Sequence, residues 1–275
     1  MQTYKTKLIL KLQLTPEVIF LRFELVDPLE ITFQSGQYMI VPIPGKNITR
    51  LYSIASSPDK KNTLEFIIHL MPGGIASEYF RLMSVNQEVE MKGPAGVFNL
   101  RQNEKNIIFL ATGTGIVPIR SMILQHYVIA GYSPARREPK AEAISHGIAS
   151  SPDERVPRND NDGNIYLFWG VKTFQDVYLF DELKQLAEKN SNFHFQICLS
   201  RETDLLNIPE NDRKYFSLGH IDKGIEVYFL ELQATSYKFQ DNDYYICGNP
   251  PVVESLKTKL LEKGILKENI IFEKF

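Results

Sequence analysis

The hydrophobic pattern of this 275-residue chain changes once, close to residue 102. Before that point, short apolar segments of strand length are broken by turn residues such as Gly36, Pro44-Gly45 and Gly93-Pro94. Closely spaced strands with turns between them are typical of an antiparallel β-barrel. We therefore predict a β-barrel domain over residues 1–102, with strands at 7–14, 18–25, 37–41, 51–55, 64–70 and 89–92.

After residue 102, apolar strands alternate with amphipathic helices, which is typical of a parallel sheet covered by helices. We predict an α/β domain over residues 103–275, with strands at 107–111, 165–169, 193–199, 244–247 and 270–272 and helices at 118–130, 181–189 and 251–263. Residues 131–164 interrupt this order with many Pro, Arg, Asp and Ser side chains and almost no large apolar ones. We predict a disordered insertion there, because the segment cannot bury enough apolar surface to fold.

Composition and charge exclude several classes of protein. The 31 basic and 33 acidic side chains leave a formal net charge of -2, which argues against a nucleic-acid binder. The longest apolar run, Ile107–Val117, is too short to span a bilayer, and the opening residues lack the apolar core of a secretory signal. We expect a soluble cytoplasmic protein. With only Cys198 and Cys247, the chain offers no thiolate set for a zinc site or iron–sulfur cluster, so we expect no metal.

Arg50, Leu51, Tyr52 and Ser53 lie together on one predicted strand of the barrel. Because side chains alternate along a strand, Arg50 and Tyr52 share a face. A cation for a pyrophosphate, an aromatic ring for stacking and a hydroxyl group are three features that a flavin nucleotide needs. A surface arginine beside a half-buried tyrosine is common on strands, so this segment by itself favours an ordinary structural role over flavin binding.

A glycine pair, Gly73-Gly74, comes before a short helix that is predicted to start near Ser77. Free backbone N–H groups at a helix start, together with a serine hydroxyl, bind phosphate. An ordinary glycine turn with Ser77 as the N-cap explains the same residues equally well.

Gly113, Thr114 and Gly115 follow a predicted strand, and Pro118 stands where the next helix should begin. A strand, a glycine-rich turn and a helix together form the usual site for a dinucleotide pyrophosphate. The third glycine of the usual fingerprint is missing, and no acidic residue is clearly placed on the next strand. The segment is therefore not an ordinary Rossmann site.

Cys247 and Gly248 end another buried strand, at the carboxyl edge where open α/β sheets bind ligands. A glycine at this place would let a flat nicotinamide ring approach. Cysteine at a buried position is more often a small core residue than a reactive one.

These four segments, in this order, resemble the ferredoxin–NADP reductase family over nearly the whole chain outside the insertion. The resemblance implies that the barrel binds FAD and that the α/β domain binds NADPH or NADH. The residues it assigns to FAD are Arg50, Leu51, Tyr52, Ser53, Ile67, Ile68, His69, Gly74, Ala76 and Ser77. Those it assigns to the dinucleotide are Gly113, Thr114, Gly115, Pro118, Lys172, Ser200, Arg201, Cys247 and Gly248.

The same resemblance implies individual roles for the FAD residues. Arg50 and Ser77 would contact the pyrophosphate of FAD, Tyr52 would stack on the flavin, and Ser53 would lie near flavin N5. The strand 67–69 would offer backbone contacts.

On the dinucleotide side, Lys172 replaces the arginine that is usual in the family. Ser200 and Arg201 favour NADPH over NADH by a small margin, because arginine binds a phosphate group with two hydrogen bonds. A solvated arginine at a strand end explains Arg201 nearly as well. Cys247 would lie beside the hydride-transfer site. Phe275 would stack on the flavin where nicotinamide enters, or else only extend the last strand. Ser53, Cys247 and Phe275 are thus the expected catalytic residues.

The implied reaction is hydride transfer from nicotinamide C4 to flavin N5, followed by release of single electrons to an acceptor. The expected acceptor is ferredoxin, flavodoxin, an oxygenase component or free flavin. Two alternatives stay open: a free-flavin reductase, and a regulatory subunit that binds FAD and dinucleotide without turnover.

Overall fold

The computed structural model describes residues 1–129, 163–233 and 239–275. The predicted insertion at 131–164 lies outside the described residues, except for Gly163 and Asn164. The first part of the chain forms six strands and one helix, namely β1 (Gln2–Thr15), β2 (Val18–Asp27), β3 (Tyr38–Pro42), β4 (Thr49–Ser53), β5 (Thr63–His69), α1 (Ile75–Leu82) and β6 (Glu88–Ala95).

These six strands form an antiparallel sheet in the order β4-β3-β6-β1-β2-β5. Leu21 and Phe23 of β2 pack inside it with Phe66 of β5. Two residues after the end of β4, the backbone N–H of Ala55 donates a 2.8 Å hydrogen bond to the carbonyl of Glu65 in β5, the strand at the other edge. This contact closes the sheet into the predicted barrel.

The second part of the chain forms a parallel sheet in the order β10-β9-β8-β7-β11-β12. The order reverses beside β7, and open α/β sheets bind ligands at such a reversal. Its elements are β7 (Asn106–Thr112), α2 (Ile116–Ile129), β8 (Ile165–Val171), α3 (Phe180–Lys189), β9 (Phe193–Leu199), β10 (Phe216–Leu218), α4 (Ile221–Gln233), β11 (Asn242–Gly248), α5 (Pro250–Glu262) and β12 (Ile270–Lys274).

Helices cover both faces of the parallel sheet. Phe109 of β7 packs in the layer with α2 and α3, whereas its neighbours Ile108 and Leu110 pack with α4 and α5. Val18 and Phe20 of β2 join the α2 layer, so the barrel rests on that side of the sheet. The predicted fold class, an antiparallel barrel followed by a parallel α/β sheet, is confirmed.

Some elements differ from the sequence prediction. The hydrophobic pattern does not predict β10 or α4. The helix α1 begins at Ile75, with Gly74 at its N-cap, so Ser77 lies in the first turn and the alternative N-cap role for Ser77 is wrong. The helix α2 begins at Ile116, two residues before Pro118.

Candidate functional site

The ends of β7 and β11 pack against each other through two glycines. A Cβ atom on Gly115 would overlap the carbonyl oxygen of Cys247, and a Cβ atom on Gly248 would overlap Oγ1 of Thr112. Any larger residue at either position would push the two strand ends apart. The two predicted glycine segments therefore meet at the reversal of strand order.

A cavity of about 860 Å³ lies between the barrel and this edge of the parallel sheet. Ligand sites of proteins are commonly of this size. Thr15 and Val18 line it from the barrel. The predicted site residues in its wall are His69, Gly113, Thr114, Lys172, Ser200, Gly248 and Phe275. Gly115, Pro118, Arg201 and Cys247 do not line it.

Cys247 lies behind the cavity, with 1% of its surface exposed. It is in register with Glu273 of β12. Burial, together with the neighbouring Glu273 carboxylate, raises the pKa of the Cys247 thiol well above its usual range. The thiol therefore stays protonated at neutral pH, and since the thiolate is the nucleophilic form, Cys247 is not a nucleophile there.

Glu273 is a feature that the sequence prediction missed. Its Oε2 atom is buried and finds no hydrogen-bond partner among the described residues. Burial raises the pKa of this carboxyl to about 7. A carboxyl group with a pKa near 7 is able to exchange a proton at neutral pH, although Glu273 itself does not line the cavity. The sequence gives little indication of a buried carboxyl group here, because a charged residue between Phe272 and Lys274 in a short strand is ordinarily exposed.

Phe275 continues the line of β12 beside the cavity. Its backbone N–H donates a 3.2 Å hydrogen bond to the carbonyl of Gly248, and 54% of the residue is exposed. The expected aromatic side chain therefore lies at the strand end that carries Gly248.

On the barrel, Arg50 is exposed, and Nη1 donates a 2.9 Å hydrogen bond to the carbonyl of Thr49. Arg50 forms no ion pair with any described residue. Tyr52 packs edge-on against Phe80 of α1, with ring centroids 5.0 Å apart. Burial raises the pKa of Tyr52 to about 12, although Arg50 opposes the shift. Leu51 is exposed and Ser53 is buried.

The start of α1 is held by Ser77, whose Oγ accepts a 2.8 Å hydrogen bond from the backbone N–H of Met71. Gly74 and Ala76 lie beside it in the same turn. The first N–H groups of a helix have no partner within the helix, so this turn can receive a phosphate. Ile67, Ile68 and His69 belong to β5, an edge strand with backbone groups on its outer side. His69 Nε2 lies 3.0 Å from Glu17 Oε2.

Backbone hydrogen bonds join the segment that follows β8 to the segment that follows β9. Arg201 N–H donates to the carbonyl of Lys172 at 2.8 Å, and Ser200 N–H donates to that of Val171 at 3.0 Å. Lys172 and Ser200 line the cavity, whereas the exposed Arg201 lies outside its wall.

A buried charge cluster joins the barrel to α2 and α3. Arg120 Nη1 lies 2.9 Å from Glu65 Oε2 of β5, and Arg120 Nε lies 2.7 Å from Glu182 Oε1. Arg22 and Lys60 also contact Glu65, at 2.9 and 3.3 Å. Burial alone would raise the pKa of Glu65, but Arg120, Lys60 and Arg22 outweigh it and hold that pKa at about 2. The sequence prediction missed this cluster, because its members are far apart in the chain.

A barrel that shares a cavity with the glycine-rich strand ends of a parallel sheet defines a class of two-domain nucleotide-binding protein. The model of the oxidoreductase FAD-binding domain matches residues 5–100, and that of the oxidoreductase NAD-binding domain matches residues 109–258. The chain belongs to the family of oxidoreductases that carry these FAD-binding and NAD-binding domains.

Two relatives of the chain are named as components of oxygenases. The chain is 28% identical over 264 residues to the reductase component of propane 2-monooxygenase from Gordonia sp. (strain TY-5), covering 95% of this chain and 64% of that protein. It is 30% identical over 247 residues to the anthranilate 1,2-dioxygenase electron transfer component of Acinetobacter baylyi, covering 90% of this chain and 59% of that protein. The chain thus spans about three-fifths of the length of these curated relatives.

A solved ferredoxin NADP⁺ reductase from Neisseria gonorrhoeae, with bound FAD and NADP, has the same fold. The two structures superpose with a TM-score of 0.75 at 19% identity, over 100% of this chain and 99% of the other. Within the described residues, no helix has both the length and the apolar character needed to cross a membrane.

Proposed function

We propose that this chain passes electrons from NADPH or NADH, through FAD, to a separate one-electron acceptor. The observation that carries the proposal is the shared cavity, where His69 of the barrel and Gly248 and Phe275 of the sheet edge line one space. FAD, when bound, takes up electrons in pairs from a nicotinamide and releases them singly. One relative is the reductase component of a monooxygenase and another is the electron transfer component of a dioxygenase, which supports an oxygenase component as the acceptor. A further relative is a ferredoxin–NADP reductase, which supports a ferredoxin.

FAD would bind along the barrel, which we propose comprises residues 1–102. Arg50 would bind its pyrophosphate together with the first turn of α1, which includes Ser77. Tyr52 would stack on the isoalloxazine ring and Ser53 would hydrogen-bond near N5. The residues fit this group, because Arg50 is an exposed cation with no ion pair among the described residues and the N–H groups of the α1 turn need an acceptor.

The dinucleotide would bind over residues 103–275. Gly113 and Thr114 would receive the pyrophosphate, Lys172 and Ser200 would contact the adenosine end, and Gly248 would let the nicotinamide ring approach. A Cβ atom on Gly248 would overlap Thr112, so no larger residue fits at this edge of the sheet.

The absorbance spectrum of the purified protein tests the proposal. We expect a tightly bound flavin that bleaches on anaerobic addition of NADPH or NADH and recovers when a one-electron acceptor such as ferricyanide is added. Bound flavin that does not bleach would instead indicate a regulatory subunit. Loose binding with turnover of added free flavin would indicate a free-flavin reductase, and protein without affinity for FAD would contradict the proposal.

A further inference from the structure

The carbonyl of Gly113 receives hydrogen bonds from two aromatic side chains. The indole N–H of Trp169 donates to it at 2.9 Å, and the hydroxyl of Tyr178 donates to it at 3.4 Å. Gly113 has a φ of +53°, in the left-handed region that glycine adopts freely. One peptide group of the glycine-rich loop is thus fixed by two donors from the next strand and its following loop.

The direction of this peptide group has a consequence for the cavity. In a planar trans peptide, the carbonyl of Gly113 and the N–H of Thr114 point in opposite directions. Since the carbonyl points to Trp169 behind the loop, the N–H of Thr114 points away from Trp169. Gly113, Thr114 and Tyr178 line the cavity, and Trp169 does not. Thr114 lies in a short 3₁₀ turn, Gly113–Gly115, directly before α2, and the first N–H groups of such a turn have no acceptor within it.

Both donors are themselves held firmly. Trp169 is fully buried on β8, in register with Ala111 of β7 and Ile197 of β9. Its ring meets the ring of Tyr178 edge-on, with centroids 4.9 Å apart. Burial raises the pKa of Tyr178, so its hydroxyl keeps the proton that it donates. A buried indole N–H without a partner is costly, which favours the observed orientation of the Gly113 carbonyl.

We propose that Trp169 and Tyr178 are positioning residues, which hold the Gly113–Thr114 peptide so that the Thr114 N–H faces the pyrophosphate of the bound dinucleotide. The proposal rests on the proposed function, since it assumes that NADPH or NADH binds in this cavity. It adds that the affinity for the pyrophosphate depends on two side chains that donate to the Gly113 carbonyl, of which Trp169 lies outside the cavity wall.

The variants Tyr178→Phe and Trp169→Phe test the proposal, because each keeps an aromatic ring and removes one donor. Tyr244→Phe is the matched control: its hydroxyl also donates to a backbone carbonyl at 3.4 Å, that of Phe239, away from the cavity. Calorimetric titration of the oxidised FAD-loaded proteins with NADP⁺ and NAD⁺ measures the affinities. We expect about three- to tenfold weaker binding for Tyr178→Phe and Trp169→Phe, and unchanged binding for the control.

Stopped-flow reduction separates positioning from general damage. The apparent dissociation constant for the reduced dinucleotide should rise in both variants, while the limiting rate at saturation stays within about twofold, because the nicotinamide end is untouched. Trp169 is also the single tryptophan of the chain, so its emission should change when NADP⁺ or NAD⁺ binds to the wild-type protein.

Some outcomes would overturn the proposal. Wild-type affinity in Tyr178→Phe, or an equal loss of affinity in Tyr244→Phe, would show that the Gly113 carbonyl needs no such support. If Trp169→Phe does not fold, Tyr178→Phe alone decides. If the wild-type protein itself binds neither dinucleotide, the proposed function fails, which is a different result from intact wild-type binding with insensitive variants.

Discussion

Arg50 is a cation whose surroundings in the protein leave it available to a ligand. Its described hydrogen bond goes to the carbonyl of its own neighbour, Thr49. Replacing it with alanine should lower FAD affinity about tenfold or more, because a charge-assisted contact with phosphate contributes about 1.5–3 kcal/mol. Absorbance of the dialysed protein measures the retained flavin. The control is Arg81→Ala, which removes an exposed arginine paired with Glu78 on α1, and full flavin retention in Arg50→Ala would contradict the assignment.

Glu273 should give the stability of the protein a specific dependence on pH. Its pKa is about 7 in the folded state, against 4.5 for an unperturbed glutamate. Between these values the folded state keeps a proton that the unfolded state releases, so stability falls as pH rises through this range. The buried thiol of Cys247 faces the carboxyl and does not carry a compensating positive charge.

Glu273→Gln should remove this dependence. We expect the free energy of unfolding of the wild-type protein to fall by about 1 kcal/mol more than that of the variant between pH 5 and 7.5, a figure reduced for solvent screening. Urea unfolding at both pH values measures it. Glu268→Gln, at an exposed position before β12, is the control, and parallel pH profiles for Glu273→Gln and the wild-type protein would exclude the effect.

At the scale of elements, β5 and α2 are coupled by charge. Arg120 on α2 joins Glu65 on β5, and Nη1 of Arg120 also donates to the carbonyl of Ala55 at 2.7 Å. The neighbouring Ser121 hydroxyl donates to the carbonyl of Ser56 at 2.6 Å. The glycine-rich loop leads directly into α2. These contacts of α2 with the barrel therefore fix the position of the loop relative to the barrel.

Arg120→Met should therefore lower both stability and catalytic efficiency. Leaving the buried Glu65 with fewer cations should cost about 3 kcal/mol in the free energy of unfolding, measured by urea titration. The rate of flavin reduction should also fall, because the loop loses its anchor on the barrel. Lys184→Met, which breaks a half-buried pair with Asp212 outside the cluster, should change both quantities less. A double variant with Glu65→Gln should recover part of the loss, and strict additivity would show that the two groups are not coupled.

The sequence pattern predicts most of these elements because alternation and turn residues are local signals. It does not predict α4, which contains Gly224 in its interior, where glycine ordinarily disfavours a helix. In the structure a Cβ on Gly224 would lie 3.1 Å from the Phe168 ring and 3.2 Å from Cys198 Sγ, so glycine allows the helix to approach the sheet. Glu65, Arg120 and Glu182 form their cluster only in the tertiary structure, and no spacing in the chain reveals it.

At the scale of the whole molecule, the cavity exists because two independent features coincide. The chain returns from β10 past β7 to form β11, which places Gly248 next to the glycine-rich loop. The barrel packs on the α2 side of the sheet, which brings Thr15 and His69 to the same edge. Neither the strand order nor the packing of the barrel on the sheet can be predicted from a short stretch of sequence. The glycines at the strand ends can be recognised in such a stretch.

Phe275 belongs to this shared cavity, and its removal should change how the dinucleotide competes for it. If the ring covers the flavin, nicotinamide must displace it, and part of the binding energy of the dinucleotide is used in that exchange. Phe275→Ser should then bind NADP⁺ and NAD⁺ about three- to tenfold more tightly and discriminate less between them, because an aromatic contact is worth about 0.5–1.5 kcal/mol. Calorimetric titration of the oxidised protein measures both affinities.

Phe272→Ser is the control. The centroid of the Phe272 ring lies 3.7 Å from Lys257 Nζ, and Phe272 does not line the cavity. Unchanged affinities in Phe275→Ser would mean that Phe275 only continues β12 through its bond to Gly248, and that nicotinamide reaches the flavin without displacing a side chain.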